Sequence, residues 1–187
     1  ILVHGGGWTS GDKSGGPKQA YIAPLHGPLA KAGLAWFSIN YRLAPKHAYP
    51  ACAEDVLIAI RWVKAQAKAL RLDPDRIALA GESAGGHLVA DAAIRAQADT
   101  RVAAVVPFYG RFDLTDGLNQ GDRLRTNIAA LVGRTTFDDT SRATLRAASP
   151  LLQVRAGLPP FLLVHGTADV TVPYQQSVLR SEEHTSE

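Results

Sequence analysis

The chain has 187 residues, 46% hydrophobic and 20% charged, with a formal net charge of +3. That balance describes one globular domain with a real core, neither disordered nor membrane-spanning, since no stretch nears the ~20 uninterrupted apolar residues of a span. The arginines between 101 and 155 are dispersed, without a basic run or interleaved aromatics, so no nucleic-acid partner is expected. The single cysteine, Cys52, excludes an internal disulfide and points to a reducing, cytoplasmic compartment. It lies among alanines on a helical pattern and reads as a small buried hydrophobe.

Ile1-Leu2-Val3 is an apolar strand that feeds the run Gly5-Gly6-Gly7. The chain contains no methionine, so Ile1 is read as an internal residue, with further strands expected ahead of it. Leu34 to Ile39, opened by Gly33, reads as a strand. Glu54 to Leu70 is the clearest helix, because Val56, Ile60, Val63, Ala67 and Leu70 recur at three-four spacing. Asp73-Pro74-Asp75 turns the chain into a short buried strand, Ile77 to Ala80. Gly86 to Ile94 reads as helix. Val102 to Val106 is another strand, stopped at Pro107.

From Arg111 to Ser149 the pattern changes. Asp, Arg, Thr and Gly dominate, helical runs are short (Ile128 to Val132, Thr140 to Ala148), and no strand is expected. An excursion this long outside a sheet is usually functional. Phe161 to Val164 restores a core strand, and Tyr174 to Leu179 begins a helix. The alternation predicts an α/β fold, a mainly parallel sheet with helices on both faces.

The last eight residues, Arg180 to Glu187, are polar without an apolar period. They match the peptide that a common short-read sequencing adapter encodes in frame. They are therefore read as a non-native tail interrupting the last helix, and the domain is taken as residues 1–179. Without the tail's one Arg and three Glu the net charge becomes +5.

Two motifs carry chemistry. Gly81-Glu82-Ser83-Ala84-Gly85 is a G-x-S-x-G elbow, in which a strand-to-helix turn holds a serine hydroxyl clear of the backbone. Alone it is weak, arising by chance in roughly one chain in fifteen of this length. Its position between a predicted strand and a predicted helix makes it specific. The run Gly5-Gly6-Gly7 after a strand is the kind that lays N–H groups around a developing oxyanion.

His4 to Trp8 (His-Gly-Gly-Gly-Trp), Tyr41 to Pro45 (Tyr-Arg-Leu-Ala-Pro), Gly81 to Gly86 and His165 to Asp169 (His-Gly-Thr-Ala-Asp) occur in the order seen in α/β-hydrolase esterases. Over residues 1–179 the chain resembles the hormone-sensitive-lipase-like branch and its relatives among small carboxylesterases and feruloyl-esterase-like enzymes. The resemblance implies the α/β-hydrolase fold, incomplete at both ends, and an active site partly capped by the 111–149 excursion.

Ser83 is the expected nucleophile, needing an imidazole base and a carboxylate to orient it. Ala84 follows the nucleophile and is expected to give one oxyanion donor; by resemblance Gly6 and Gly7 give the others. Asp169, after a buried-type strand and before Val172-Pro173, is the expected triad acid, with Asp113 and Asp116 as competitors. His4 is expected to shape its loop, and His87 to pack or lie on the helix surface. His26 and His47 are assigned no chemistry.

The order Ser, Asp, His calls for a histidine beyond Asp169. His184 alone qualifies, and it lies in the suspected tail. The catalytic histidine is therefore expected to be absent from this chain. No histidines have metal-ligand spacing, and neither metal nor cofactor is expected. The reading is a serine hydrolase of small or medium carboxylic esters. Arylformamide or amide hydrolysis on the same machinery, and a non-catalytic small-molecule receptor, remain alternatives.

Overall fold

The computed structural model of the chain describes residues 1–14, 23–116 and 125–183. Four parallel strands form the sheet: β1 (Leu2–Val3), β2 (Ser38–Ile39), β3 (Ala78–Glu82) and β4 (Ala104–Phe108), in the order β2-β1-β3-β4. The helices are α1 (Ala23–Lys31), α2 (Ala51–Leu70), α3 (Ala84–Ile94), α4 (Thr126–Val132), α5 (Asp139–Ala147) and α6 (Gln175–Glu183). Parallel neighbours require crossovers, and α2 and α3 supply two of them. None of the described helices is long and apolar enough to cross a membrane.

Helix α2 is amphipathic: Cys52, Ala53, Val56, Leu57, Ile60, Val63 and Ala67 are buried. It starts three residues before the expected Glu54, and the predicted stripe ends early, because Leu70 is exposed. Arg71 closes the helix in a left-handed conformation, its N–H returning to the Ala67 and Lys68 carbonyls. Helix α3 differs. All eleven of its residues are buried, as befits a helix lying against β1, β3 and β4 on one side and α2 on another. Cys52 is buried in this layer, and burial pushes its thiol up to about 12.

Three strand expectations need correction. The strand expected over Leu34–Ile39 shrinks to Ser38–Ile39, because its partner β1 offers only Leu2 and Val3 for pairing. Leu34 is exposed instead. The strand expected to stop at Pro107 runs on to Phe108. Residues 104, 106 and 108 bond towards β3, so the missing N–H of Pro107 faces the opposite side.

That side is where Phe161–Val164 lies, and the same proline explains why this segment is not a continuous strand. Val105 N–H donates to the Pro160 carbonyl (3.0 Å) and Leu162 N–H to that of Val105 (2.9 Å). The next donor would be Pro107. Pairing resumes beyond it, with Val164 N–H to Pro107 (3.2 Å) and Tyr109 N–H to Val164 (2.7 Å). Two isolated parallel bridges, Val105 with Phe161 and Phe108 with Val164, result. The segment still extends the sheet one place beyond β4.

Within 111–149 the described residues hold α4 and α5 and no strand. Asp138 caps α5 by accepting from the Ser141 N–H (2.8 Å), with the Ser141 hydroxyl bonding back to the Asp138 N–H. Helix α6 does not stop at Leu179. It continues through Arg180 to Glu183, and the buried Arg180 guanidinium lies 4.3 Å over the Phe161 ring. His184 lies outside the described residues.

Candidate active site

Ser83 sits between β3 and α3 with φ 54° and ψ −116°, a backbone conformation that side-chain-bearing residues rarely adopt. Its N–H donates to the Phe108 carbonyl of β4 (3.0 Å), and its carbonyl accepts from His87 N–H (3.0 Å). The elbow is tight enough to require its glycines. A Cβ on Gly81 would collide with the Gly85 carbonyl, and one on Gly85 with the carbonyls of Val3 and His4. Ala84 is the first residue of α3, so its N–H is one of the donors a helix start leaves without an intrahelical acceptor.

The loop after β1 passes directly beside this elbow. The Gly6 carbonyl accepts the N–H groups of Thr9 and Ser10 (both 3.1 Å), closing a turn in which Gly6, Gly7 and Trp8 all have positive φ. Among the described residues nothing accepts the N–H groups of Gly6 and Gly7. Tyr41 supports the loop from behind, its hydroxyl reaching the carbonyls of His4 (3.1 Å) and Gly5 (3.2 Å). Ala44 N–H adds a bond to the Trp8 carbonyl (2.9 Å).

Asp169 lies in the loop after the Val164 bridge, at the same carboxyl end of the sheet as Ser83. Its Oδ1 accepts from the N–H groups of Thr171 (2.8 Å) and Val172 (2.9 Å), and Oδ2 is 3.4 Å from His165 Nε2. Burial pushes the carboxyl up, but the Val172 and Thr171 N–H groups with His165 outweigh it and hold the pKa below the usual carboxylate value. The competitors are engaged elsewhere. Asp113 accepts from the N–H (2.8 Å) and hydroxyl (2.6 Å) of Thr115. Asp116 pairs with Arg111 (2.6 Å) and accepts from the Gln176 amide (3.2 Å).

His4, His26, His87 and His165 have other partners than Ser83. His4 stacks on Tyr41, and its Nδ1 meets the Gly5 carbonyl (2.7 Å). His26 stacks on Trp36. His165 bonds the Ser177 hydroxyl (2.7 Å) and the Val172 carbonyl (2.9 Å). His87 is not on the helix surface; it is fully buried, accepting from the Trp8 indole N–H at Nδ1 (3.1 Å) and donating from Nε2 to the Ala148 carbonyl (2.7 Å). Both partners demand the neutral imidazole, and burial pushes its pKa down to about 4.

Sequence reasoning gave Glu82 and His87 no part in the site. Their partners lie 77 and 79 residues away, so no local pattern marks them.

Buried Asp91 opposes His87 in its pH response. Burial raises it to about 6 despite Arg95 (3.6 Å) and Tyr49 (3.4 Å). Between about 4 and 6.5 the unfolded chain binds a proton that folded His87 refuses, so that term removes stability as pH falls. Between about 4 and 6 folded Asp91 keeps a proton that the unfolded chain releases, so that term removes stability as pH rises. In urea titrations from pH 6.5 to 4, Asp91→Asn should lose stability more steeply on acidification than the parent. His87→Gln should shift the slope the other way. Identical slopes for all three proteins would contradict these assignments.

Comparison with known proteins agrees with this architecture. The BD-FAE family profile matches residues 1–183. Esterase LipQ of Mycobacterium tuberculosis is 37% identical over 187 residues, covering 95% of this chain and 43% of that protein. Esterase LipC of the same organism is 36% identical over 189 residues, covering 95% and 45%. The chain thus spans less than half the length of these curated relatives. Among solved structures, a truncated carbohydrate esterase from gut microbiota superposes with a TM-score of 0.82 at 28% identity, covering 100% of this chain and 72% of that one. A Thermogutta terrifontis esterase with bound propionate gives 0.75 at 29% identity, covering 99% and 66%. The chain belongs to the BD-FAE family and has the fold of the α/β-hydrolase esterases.

Proposed function

We propose that this chain carries the nucleophile, the oxyanion hole and the acid of a serine hydrolase acting on small or medium carboxylic esters. The observation that carries the reading is Ser83, held at an elbow between β3 and α3 beside a loop whose Gly6 and Gly7 N–H groups have no acceptor among the described residues. Ser83 Oγ attacks the ester carbonyl carbon while an imidazole takes its proton. The carbonyl oxygen becomes an oxyanion, stabilised by the N–H groups of Gly6, Gly7 and Ala84. Collapse expels the alcohol, which receives the proton from the imidazolium. Water then attacks the acyl-enzyme by the same route and releases the acid. Asp169 orients the imidazole and balances its charge.

The base is assigned to none of His4, His87 and His165, because each is committed to other bonds. We assign it to a histidine of the longer protein, because the chain spans less than half the length of relatives such as LipQ and LipC. Names of relatives such as the esterases LipQ and LipC favour ester over formamide hydrolysis.

In the full-length protein Asp169→Asn should lower kcat by about 10⁴ with little change in KM, as expected for a lost imidazole partner. Asp113→Asn should stay within a few-fold of the parent. The 187-residue chain alone should hydrolyse p-nitrophenyl esters at background, and His184→Ala should not alter that rate. Activity in the isolated chain that His184→Ala abolishes would overturn the assignment of the base. An unaffected Asp169→Asn would remove Asp169 from the triad.

A further inference from the structure

Two side chains of the nucleophile element, one on each side of Ser83, grip the two ends of the glycine loop. Glu82 precedes Ser83 and is buried; its Oε1 accepts the Gly5 N–H at 2.6 Å. His87 follows one helical turn later and accepts the Trp8 indole N–H at 3.1 Å. Between these anchors lie Gly6 and Gly7, the residues whose N–H groups find no acceptor among the described residues.

The fit at each anchor is close. A Cβ on Gly5 would stand 2.5 Å from both Glu82 carboxylate oxygens, so the loop lies directly on the carboxylate. At the other anchor Trp8 is buried, and its ring meets that of His87 edge-on at 5.3 Å. The second imidazole nitrogen is tied to the Ala148 carbonyl at the end of the excursion, so His87 cannot turn away without breaking a second buried bond.

We infer that Glu82 and His87 are positioning residues for the oxyanion hole: they fix the Gly6 and Gly7 N–H groups in register with Ser83 by holding Gly5 and Trp8. The inference rests on the serine-hydrolase reading above. Its physical basis is that oxyanion donors act only when aimed within a few tenths of an ångström of the developing charge. A glycine loop has little stiffness of its own. Because both anchors belong to the peptide that carries Ser83, any shift of the nucleophile carries the loop with it.

The consequence is a loss expressed in kcat. In the full-length protein Glu82→Ala removes one acceptor and should lower kcat about 10- to 100-fold with KM nearly constant. Glu82→Gln keeps an acceptor oxygen and should restore kcat to within a few-fold of the parent. His87 admits a sharper pair. In Asn the amide oxygen falls near the position of Nδ1, and in Gln the terminal atoms fall near Nε2. His87→Asn, which can still receive Trp8, should therefore retain more kcat than His87→Gln, which can reach only Ala148. Trp8→Phe should mimic His87→Gln, and the double variant Trp8→Phe/His87→Gln should be little worse than either alone.

A merely structural role would not move the second readout. Affinity for a trifluoromethyl ketone, which forms the tetrahedral oxyanion on serine, should fall in parallel with kcat, while affinity for the product carboxylic acid stays level. Thermal melting shows which variants are folded, and His87→Gln and Trp8→Phe keep the test available if Glu82→Ala does not fold. The inference is overturned if folded Glu82→Ala, His87→Gln and Trp8→Phe keep kcat within twofold of the parent. It is equally overturned if ketone and acid affinities fall together. Failure of the underlying reading looks different: the parent itself would hydrolyse no ester, or would do so unaffected by Ser83→Ala.

Discussion

Ser83→Ala should lower kcat of the full-length protein by about 10⁴- to 10⁶-fold, with stability unchanged to within about 0.5 kcal/mol. The two halves of that expectation have separate grounds. Removing Oγ removes the atom that forms the acyl bond, leaving the oxyanion donors and binding groups to act on water alone. Stability is spared because the substitution leaves the strained backbone as it was: alanine at φ 54° and ψ −116° carries the same Cβ as serine. The burial of α3, the close passage of Gly85 and the Ser83 N–H bond to Phe108 all persist. Steady-state kinetics on a p-nitrophenyl ester, with thermal melting alongside, measures both halves. Turnover within tenfold of the parent would remove Ser83 as nucleophile.

Gly85→Ala should have the opposite signature, a loss of stability that takes activity with it. The added Cβ meets two backbone carbonyl oxygens, those of Val3 and His4, and not the yielding tip of a side chain. Relief requires α3 to move away from β1, which separates the elbow from the glycine loop. We expect a cost of about 3 kcal/mol or more, at the upper end of overpacking in a core. Gly27→Ala is the natural control. Nothing stands within 4 Å of its Cβ, and it lies inside helix α1, where alanine gains up to about 1 kcal/mol over glycine. Denaturant midpoints for the two variants should therefore move in opposite directions. A Gly85→Ala protein as stable and active as the parent would mean that β1 and α3 are farther apart than described.

Much of this architecture is legible in the sequence because its causes are local. The elbow announces itself through Gly81, whose Cβ would meet the Gly85 carbonyl four residues on, although Gly85 itself answers the distant carbonyls of Val3 and His4. The stripe Val56, Ile60, Val63 and Ala67 has the period of one helix face, and those residues are buried. Pro107 shows where a local rule fails. A proline stops a strand only if its N–H was needed, and in β4 the missing donor faces the Phe161–Val164 segment, where it interrupts a neighbour and leaves β4 intact. Leu34 fails for the complementary reason: a run apolar enough for a strand still needs a partner, and β1 pairs with only two residues of it.

The side-chain bonds that align the candidate site leave no trace of this kind. Glu82 within the elbow motif looks like a spacer, and His87 looks like one more residue of a buried helix. Each acquires meaning only when folding brings Gly5 and Trp8 from the far end of the segment. Gln176 is similar. Its amide oxygen accepts the N–H groups of Phe112 (2.7 Å) and Asp113 (2.8 Å), tying α6 to the loop after β4 across more than sixty residues. Motifs report what a short stretch must do by itself; the register between stretches is set by buried polar pairs that have no periodicity to read.

The central claim, that Ser83 forms the acyl bond, is tested most directly by covalent capture. Treating the full-length protein with a fluorophosphonate transfers a phosphonyl group to the activated serine oxygen with loss of fluoride, and peptide mass spectrometry then locates the adduct. The account predicts one adduct per chain, on Ser83 within the Gly81–Gly85 elbow, with ester hydrolysis falling in proportion to labelling and no labelling in Ser83→Ala. Inactivation with the adduct on another residue, or full labelling of Ser83 with hydrolysis retained, would contradict it.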